Sequence, residues 1–356
     1  MAGTLMLTVK VAHIYQRRFS NADLDAALRI THLYLITRRP RVALESMRVK
    51  VPSQGLGTGH FAFSSSTGKA TLRALDFSVP AGTVTKDMHI YADGSYFSIS
   101  APLVTLHGDS WSLASMATGA ALDTAKHEVL YVGQAFGTAG SESVPTRTKR
   151  HETLQKIYED HHNSEWDVFV APLLMTEFQF TNDDHIDDME DGPSLDKYFE
   201  YFINLDRRPQ KTAVDLIEHS LISFFQPPYN EQLRNWNANS PTSAMRKMQD
   251  AGFRLLQVHL DGWGGLARFY SAAAPSLPRS RLISLELPSP PKRPKFRRVD
   301  IAEDGYKRKV GPESWLIDNG QEVVTNMAED SVALLKVFGP NAPALRRPPQ
   351  IEIQEA

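Results

Sequence analysis

The chain has 356 residues, 42% of them hydrophobic, with 39 basic and 41 acidic side chains for a formal charge of −2, and it contains no cysteine. That length favours two apolar cores over one, while near-neutrality excludes a protein that coats nucleic acid through bulk attraction. Without cysteine there is no disulfide, thiolate metal site or thiol nucleophile, so any metal must take oxygen or imidazole ligands.

No run of eighteen apolar residues occurs, and the opening MAGTLMLTV has neither a basic region nor an apolar stretch of secretory length. The expectation is a cytoplasmic chain without membrane association. Residues 4 to 108 hold short β-rich runs, among them 5–12, 74–79 and 96–104, separated by Gly, Ser and Pro turns. This pattern predicts a β-rich N-terminal domain over residues 1–108, suited to recognising substrate or partner. Its glycine cluster GLGTG at 55–59 has His60 where a dinucleotide loop needs glycine, and STGKAT lacks the leading glycine of a phosphate loop.

A second unit begins near residue 109. Strands are predicted at 128–133 and 166–173, and helices at 147–159 and 212–225. A polar, acidic insertion over about 175–208 is expected to loop outward, and its core, DDHIDDMED, carries six acidic residues and no Lys or Arg. Residues 233–356 read as a C-terminal extension with strands at 254–260 and 281–287. It also holds a connector, Lys292 to Arg298, with five basic residues, which is expected to add substrate affinity without chemistry. A Pro-rich tail follows from Gly339.

In the segment VDLIEHSLISFFQPPYN, Val214, Ile217, Leu221, Ile222 and Phe225 follow the helical period. Glu218 falls within about 60° of that apolar face, where a carboxylate needs a cation, a metal or hydrogen-bond donors. A buried Glu–Arg pair and a metal ligand both satisfy this. On the helix predicted at 147–159, Arg147 and His151 share a face with Leu154 and Tyr158. Arg147 either snorkels over the core or neutralises a phosphate, and His151 either bonds a backbone carbonyl or moves a proton. On the preceding strand Tyr131 and Gly133 share a face, and the missing side chain at Gly133 leaves room for close approach beside the phenol.

Tyr131-Val132-Gly133-Gln134, Arg147-x-x-x-His151, Glu218 and Pro-Pro-Tyr-Asn ending at Asn230 resemble, in that order, the second tripeptide, Arg helix, metal-binding Glu and closing Asn of GIY-YIG endonucleases. The resemblance spans residues 109–232. It implies an α+β fold with a small antiparallel sheet flanked by helices, and divalent-metal-dependent cleavage of phosphodiester bonds in DNA, with RNA as the other possible substrate. By resemblance Tyr131 assists deprotonation of the attacking water, Arg147 stabilises phosphoryl charge, His151 activates water or contacts phosphate, and Glu218 binds Mg²⁺ or Mn²⁺. Gly133, Gln134, Arg150 and Asn230 fall at substrate-binding positions, Asn230 being mainly structural. No Gly-Ile-Tyr tripeptide lies shortly before Tyr131, and the nearest strand candidate, SWSLASM at 110–116, has no tyrosine. Two other readings stay open: a non-catalytic nucleic-acid-binding or assembly module on the same fold, and a different metal hydrolase using His161, His162, Asp183, Asp184 and His185.

Overall fold

The computed structural model describes residues 3–16, 22–52, 55–64, 70–91, 93–101, 104–117, 125–137, 142–161, 165–181, 195–203, 209–231, 242–262, 267–286 and 295–300. They form a mixed α/β chain of two compact units. The first holds the described residues up to Thr37, those of His127–Lys156 and those from Phe169 on; the second holds those of Arg38–Lys126 and Ile157–Val168.

An eight-stranded sheet has the order β12-β9-β2-β10-β1-β11-β13-β14, with β1 at Gly3–Val11, β2 at Leu33–Pro40, β9 at Lys126–Gln134, β10 at Trp166–Thr181, β11 at Phe253–Asp261, β12 at Arg268–Tyr270, β13 at Ser280–Glu286 and β14 at Lys295–Asp300. β1 is buried along almost its whole length, as a strand covered on both faces must be. It pairs antiparallel with β10 and parallel with β11, which sets Leu5 beside Phe180 and Leu256 and Leu7 beside Phe178 and Val258. The helix Lys211–Phe225 buries Val214, Ile217, Leu221, Ile222 and Phe225 as its periodicity predicts, and ends where Gln226 turns left-handed at φ 47° ahead of two prolines. It packs on the helix Ser243–Asp250 and on β13.

In place of the expected small antiparallel sheet stands a larger mixed one, and the unit boundary is not at 108/109. β1 and β2 belong with β9 and β10, and the expected extension supplies β11 and β13. Periodicity reveals strands but not partners hundreds of residues away, which is how a parallel β1–β11 pair escapes a local reading. The expected acidic insertion is also smaller: β10 continues to Thr181 and a helix covers Leu195–Tyr201, while the acidic run at 183–191 lies outside the described residues. In the basic connector, Lys295–Arg298 lies in β14, paired with β13, rather than in a linker.

The second unit contains two three-stranded antiparallel sheets. One is β3 (Val42–Leu44), β4 (Leu56–Phe63) and β5 (Thr71–Ser78); the other is β6 (Met88–Ile90), β7 (Tyr96–Ala101) and β8 (Val104–Asp109). The glycine cluster serves packing: a Cβ on Gly57 would meet the Phe77 ring at 2.4 Å. Residues 110–116 form a helix, Ser110–Met116, capped by the Asp109 carboxylate accepting from Ser112 N–H at 2.6 Å. Its Trp111 lies under the Arg39 guanidinium at 4.8 Å. Arg39 is only 2% exposed, and burial pulls its pKa down to about 9 against the opposing pull of Asp167 and Asp109. The unit thus has a partly ionic core.

Candidate active site

β2 and β9 run in opposite directions side by side. Ala135 N–H donates to the His32 carbonyl at 2.7 Å, and five residues along, Thr37 Oγ1 meets His127 Nδ1 at 3.0 Å. Tyr34 therefore falls opposite Gly133. A Cβ on Gly133 would lie 2.6 Å from the Tyr34 hydroxyl and 2.5 Å from the Tyr131 ring. The space predicted beside Tyr131 is real, but a second tyrosine of this chain fills it rather than substrate.

Tyr34, Tyr131 and His151 form a triangle of rings, with centroids 6.1 Å apart between the tyrosines, 5.9 Å from Tyr34 to His151 and 5.1 Å from Tyr131 to His151. Tyr34 is completely buried. Its hydroxyl is within reach of Arg147 and Tyr131, yet neither meets it in good hydrogen-bonding geometry. Burial, with Tyr131 and Glu218 adding to it and Arg147 opposing, holds the Tyr34 phenol well above the usual range. Burial raises Tyr131 too, followed by the charge of Glu218. Both are neutral phenols at physiological pH.

The helix predicted at 147–159 is broken into Val144–Thr148 and Glu152–Asp160. Arg147 and His151 thus do not share one continuous helical face. Proline at 145 starts the first piece, and His151 starts the second: its Nδ1 accepts from Leu154 N–H at 3.1 Å, the geometry of an N-cap. This bond fixes the tautomer with the proton on Nε2. Burial and the neighbouring Arg147 push the imidazole pKa down, so His151 stays neutral with an N–H to offer. Arg147 is exposed, and the break still leaves it close enough to act on Tyr34, Tyr131 and His151 together. Arg150 is exposed in the turn between the two pieces, with its N–H on the Arg147 carbonyl.

Glu218 is 8% exposed on the buried face of its helix. The buried Glu–Arg pair is not what meets it. Its Oε2 accepts from Gln134 Nε2 at 2.7 Å, and the same amide donates to Asp215 Oδ1 at 3.0 Å. Asp215 is in turn paired with Lys211 Nζ at 2.7 Å, one turn back. Burial, with Asp215 beside it, raises the Glu218 carboxyl pKa to about 7. Gln134 therefore clamps two carboxylates of this chain, where the sequence suggested a substrate contact. Asn230 is likewise internal: it accepts from Val132 N–H and donates to the Val132 carbonyl, both at 2.8 Å. It is 8% exposed.

The residues missed from sequence are Tyr34, Asp215 and Lys211. Tyr34 sits in HLYLI, a short apolar run that reads as a strand, but it stands 97 positions before Tyr131, far outside the short interval of the motif. Asp215 and Lys211 stand three and seven positions before Glu218, spacings that share its helix face. Of the alternative hydrolase set, His161 is bonded to Arg38 Nη1 at 2.9 Å and to the Ile157 carbonyl at 2.9 Å, and the other four lie outside the described residues. No group of three or more His, Asp or Glu side chains able to hold a metal occurs among the described residues, nor does any helix among them long and apolar enough to cross a membrane. No family model, curated protein or solved structure matches the chain.

Proposed function

We propose that the chain is a divalent-metal-dependent endonuclease of the GIY-YIG type that hydrolyses phosphodiester bonds in DNA, with Tyr34, Tyr131, Arg147, His151 and Glu218 as its catalytic residues. The observation that carries this reading is the clustering of Tyr34, Tyr131, His151 and Arg147, with both phenols close enough to the buried Glu218 carboxyl to feel its charge. His32-Leu33-Tyr34 then takes the place of the Gly-Ile-Tyr tripeptide, displaced in sequence by the second unit.

The donor set suits a hard ion such as Mg²⁺ or Mn²⁺. Glu218 is a buried carboxyl with a neutral amide as its hydrogen-bond partner, and its pKa of about 7, raised by burial and by Asp215, leaves a proton that a divalent cation would displace. One protein carboxylate with water filling the remaining positions is a common way to hold Mg²⁺. When bound, the ion supplies Lewis acidity at the phosphoryl oxygen. Gln134 and Asp215 orient the Glu218 carboxylate. Arg147, exposed and charged, meets the phosphate and offsets the charge that accumulates as water oxygen bonds to phosphorus and the P–O ester bond breaks. His151, neutral with its proton on Nε2, donates to a non-bridging oxygen rather than abstracting a proton. The partly exposed Tyr131 phenol orients the attacking water, whose proton passes through the phenol pair to the departing ester oxygen.

The test is incubation of the purified chain with supercoiled plasmid, with Mg²⁺, with Mn²⁺ and with chelator. Metal-dependent nicking or linearisation is expected. Intact plasmid under every divalent condition, with the protein shown to be folded, refutes the assignment and leaves a binding module on the same framework.

A further inference from the structure

The second unit carries a surface of different chemistry. Along β6, β7 and β8 alternate residues Met88, Phe97 and Ile99 are buried. The opposite face sets His89, Ser98 and His107 in one row across the three strands, with Tyr91 two residues beyond His89 and Tyr96 two before Ser98. The rings are contiguous: His89 to Tyr91 is 5.0 Å, Tyr91 to Tyr96 is 5.1 Å, and Tyr96 to His107 is 6.3 Å with the two planes 4° from parallel. Tyr91 is 44% exposed, and His89 and His107 are exposed as well.

We propose that this sheet face binds single-stranded DNA by stacking unpaired bases on Tyr91, Tyr96, His89 and His107. Exposed aromatic rings on an antiparallel sheet supply flat apolar faces that any base can cover, and the histidine nitrogens and Ser98 hydroxyl supply hydrogen bonds at the base edges. Charge suits a phosphate backbone locally rather than over the whole unit: residues 38–126 hold nine Lys or Arg against six Asp or Glu, while residues 157–168 of the same unit add four acidic residues and no Lys or Arg. Two of these cations stand where the sheet begins: Val51 N–H donates to Thr85 Oγ1 at 2.9 Å, and exposed Lys50 and Lys86 are the neighbours of those two residues. A duplex hides its base faces and cannot use the platform.

The face belongs to the unit without the cleavage residues, so its test is independent of cleavage. A fluorescein-labelled oligodeoxythymidine of about twelve nucleotides, within the span of aromatic-lined sites, is titrated with the full chain in chelator, and anisotropy is followed. Binding is expected, with a matched duplex competing poorly. Tyr91→Ala should weaken affinity at least about fivefold and Tyr91→Phe less than about twofold, because the ring and not the hydroxyl stacks. Lys50→Gln with Lys86→Gln should reduce the slope of log affinity against log salt by about 1.4, or ~0.7 per lost charge. Circular dichroism confirms that each variant is folded. No binding, equal binding of duplex, unchanged affinity in Tyr91→Ala, or tighter binding of oligouridine RNA overturns the proposal. So does self-association of the wild-type chain that Tyr91→Ala abolishes, which would make the face a protein interface.

Discussion

Replacing Glu218 by Gln keeps the side chain's size and its bond to Gln134 while deleting the charge. In the metal-free protein the carboxyl pKa moves from its ordinary value of 4.5 in the unfolded chain to about 7 in the fold. A carboxyl raised in this way costs nothing below the unfolded value, where both states are protonated. Between pH 4.5 and 7 the unfolded chain ionises while the native one does not, and stability falls by about 1.4 kcal/mol per pH unit. The loss is complete above the folded value and amounts to about 3 kcal/mol. Glu218→Gln escapes it. In chelator the variant's advantage over wild type should therefore grow by about 3 kcal/mol between pH 4.5 and pH 8, a rise of several degrees in melting temperature for a unit of this size. Adding Mg²⁺ at pH 8 should raise the wild-type melting temperature through binding to the native state and leave the variant unmoved, and plasmid cleavage by the variant should collapse. Urea unfolding across pH, repeated with Mg²⁺, measures all three. A variant less stable than wild type at pH 8 in chelator would show that Glu218 is already compensated, and equal Mg²⁺ shifts in both proteins would remove Glu218 as the ligand.

Tyr34→Phe removes a completely buried hydroxyl that has no well-formed hydrogen bond, so thermal stability should hold or rise by about 1 kcal/mol, whereas cleavage should fall by about 10²-fold if that hydroxyl relays the water's proton; unchanged cleavage would reduce Tyr34 to packing. Asn230→Ala orphans the buried N–H and carbonyl of Val132, which should cost about 2–4 kcal/mol and lower the urea midpoint, with cleavage per folded molecule falling little because both ends of the amide are spent on the Val132 backbone. A variant as stable as wild type would show that water replaces the amide.

Local elements were legible wherever one face of an element is apolar. The periods of 212–225, 128–133 and 254–260 foretell a helix and two strands within a residue or two of where they lie. Glu218 was legible as an anomaly, a charge on a buried face, and the structure adds what periodicity cannot contain: its partners come from β9 and from its own helix. The break between Arg147 and His151 escaped because all of 147–159 is compatible with helix. It takes the His151 side chain, spent on Leu154 N–H, to start a new one. Roles inferred from resemblance shifted in the same way. Gln134, Gly133 and Asn230 sit at substrate-binding positions in the motif, but each is consumed internally, by two carboxylates, by two aromatic rings and by the Val132 backbone respectively.

The separation of Tyr34 from Tyr131 in sequence shows why a motif search by interval fails here. The chain leaves the first unit after Thr37 and returns at His127, and these two residues are bonded to each other across β2 and β9 at 3.0 Å. An excursion whose ends are already adjacent leaves the register of the flanking strands intact. The closure cost of a flexible connection grows by only ~0.6 kcal/mol for each doubling of its length, and a segment with its own core, here built around Arg39, Trp111 and Phe61, supplies its own folding energy. Outside those ends, within the first unit, two more contacts pin the chain: Ala135 N–H on the His32 carbonyl, and His32 Nδ1, which lies 2.9 Å from the Glu142 carbonyl. The distance that matters to the two phenols is thus set by antiparallel pairing of β2 with β9 and by the glycine at 133, the one residue type on which Tyr34 can lie without displacement.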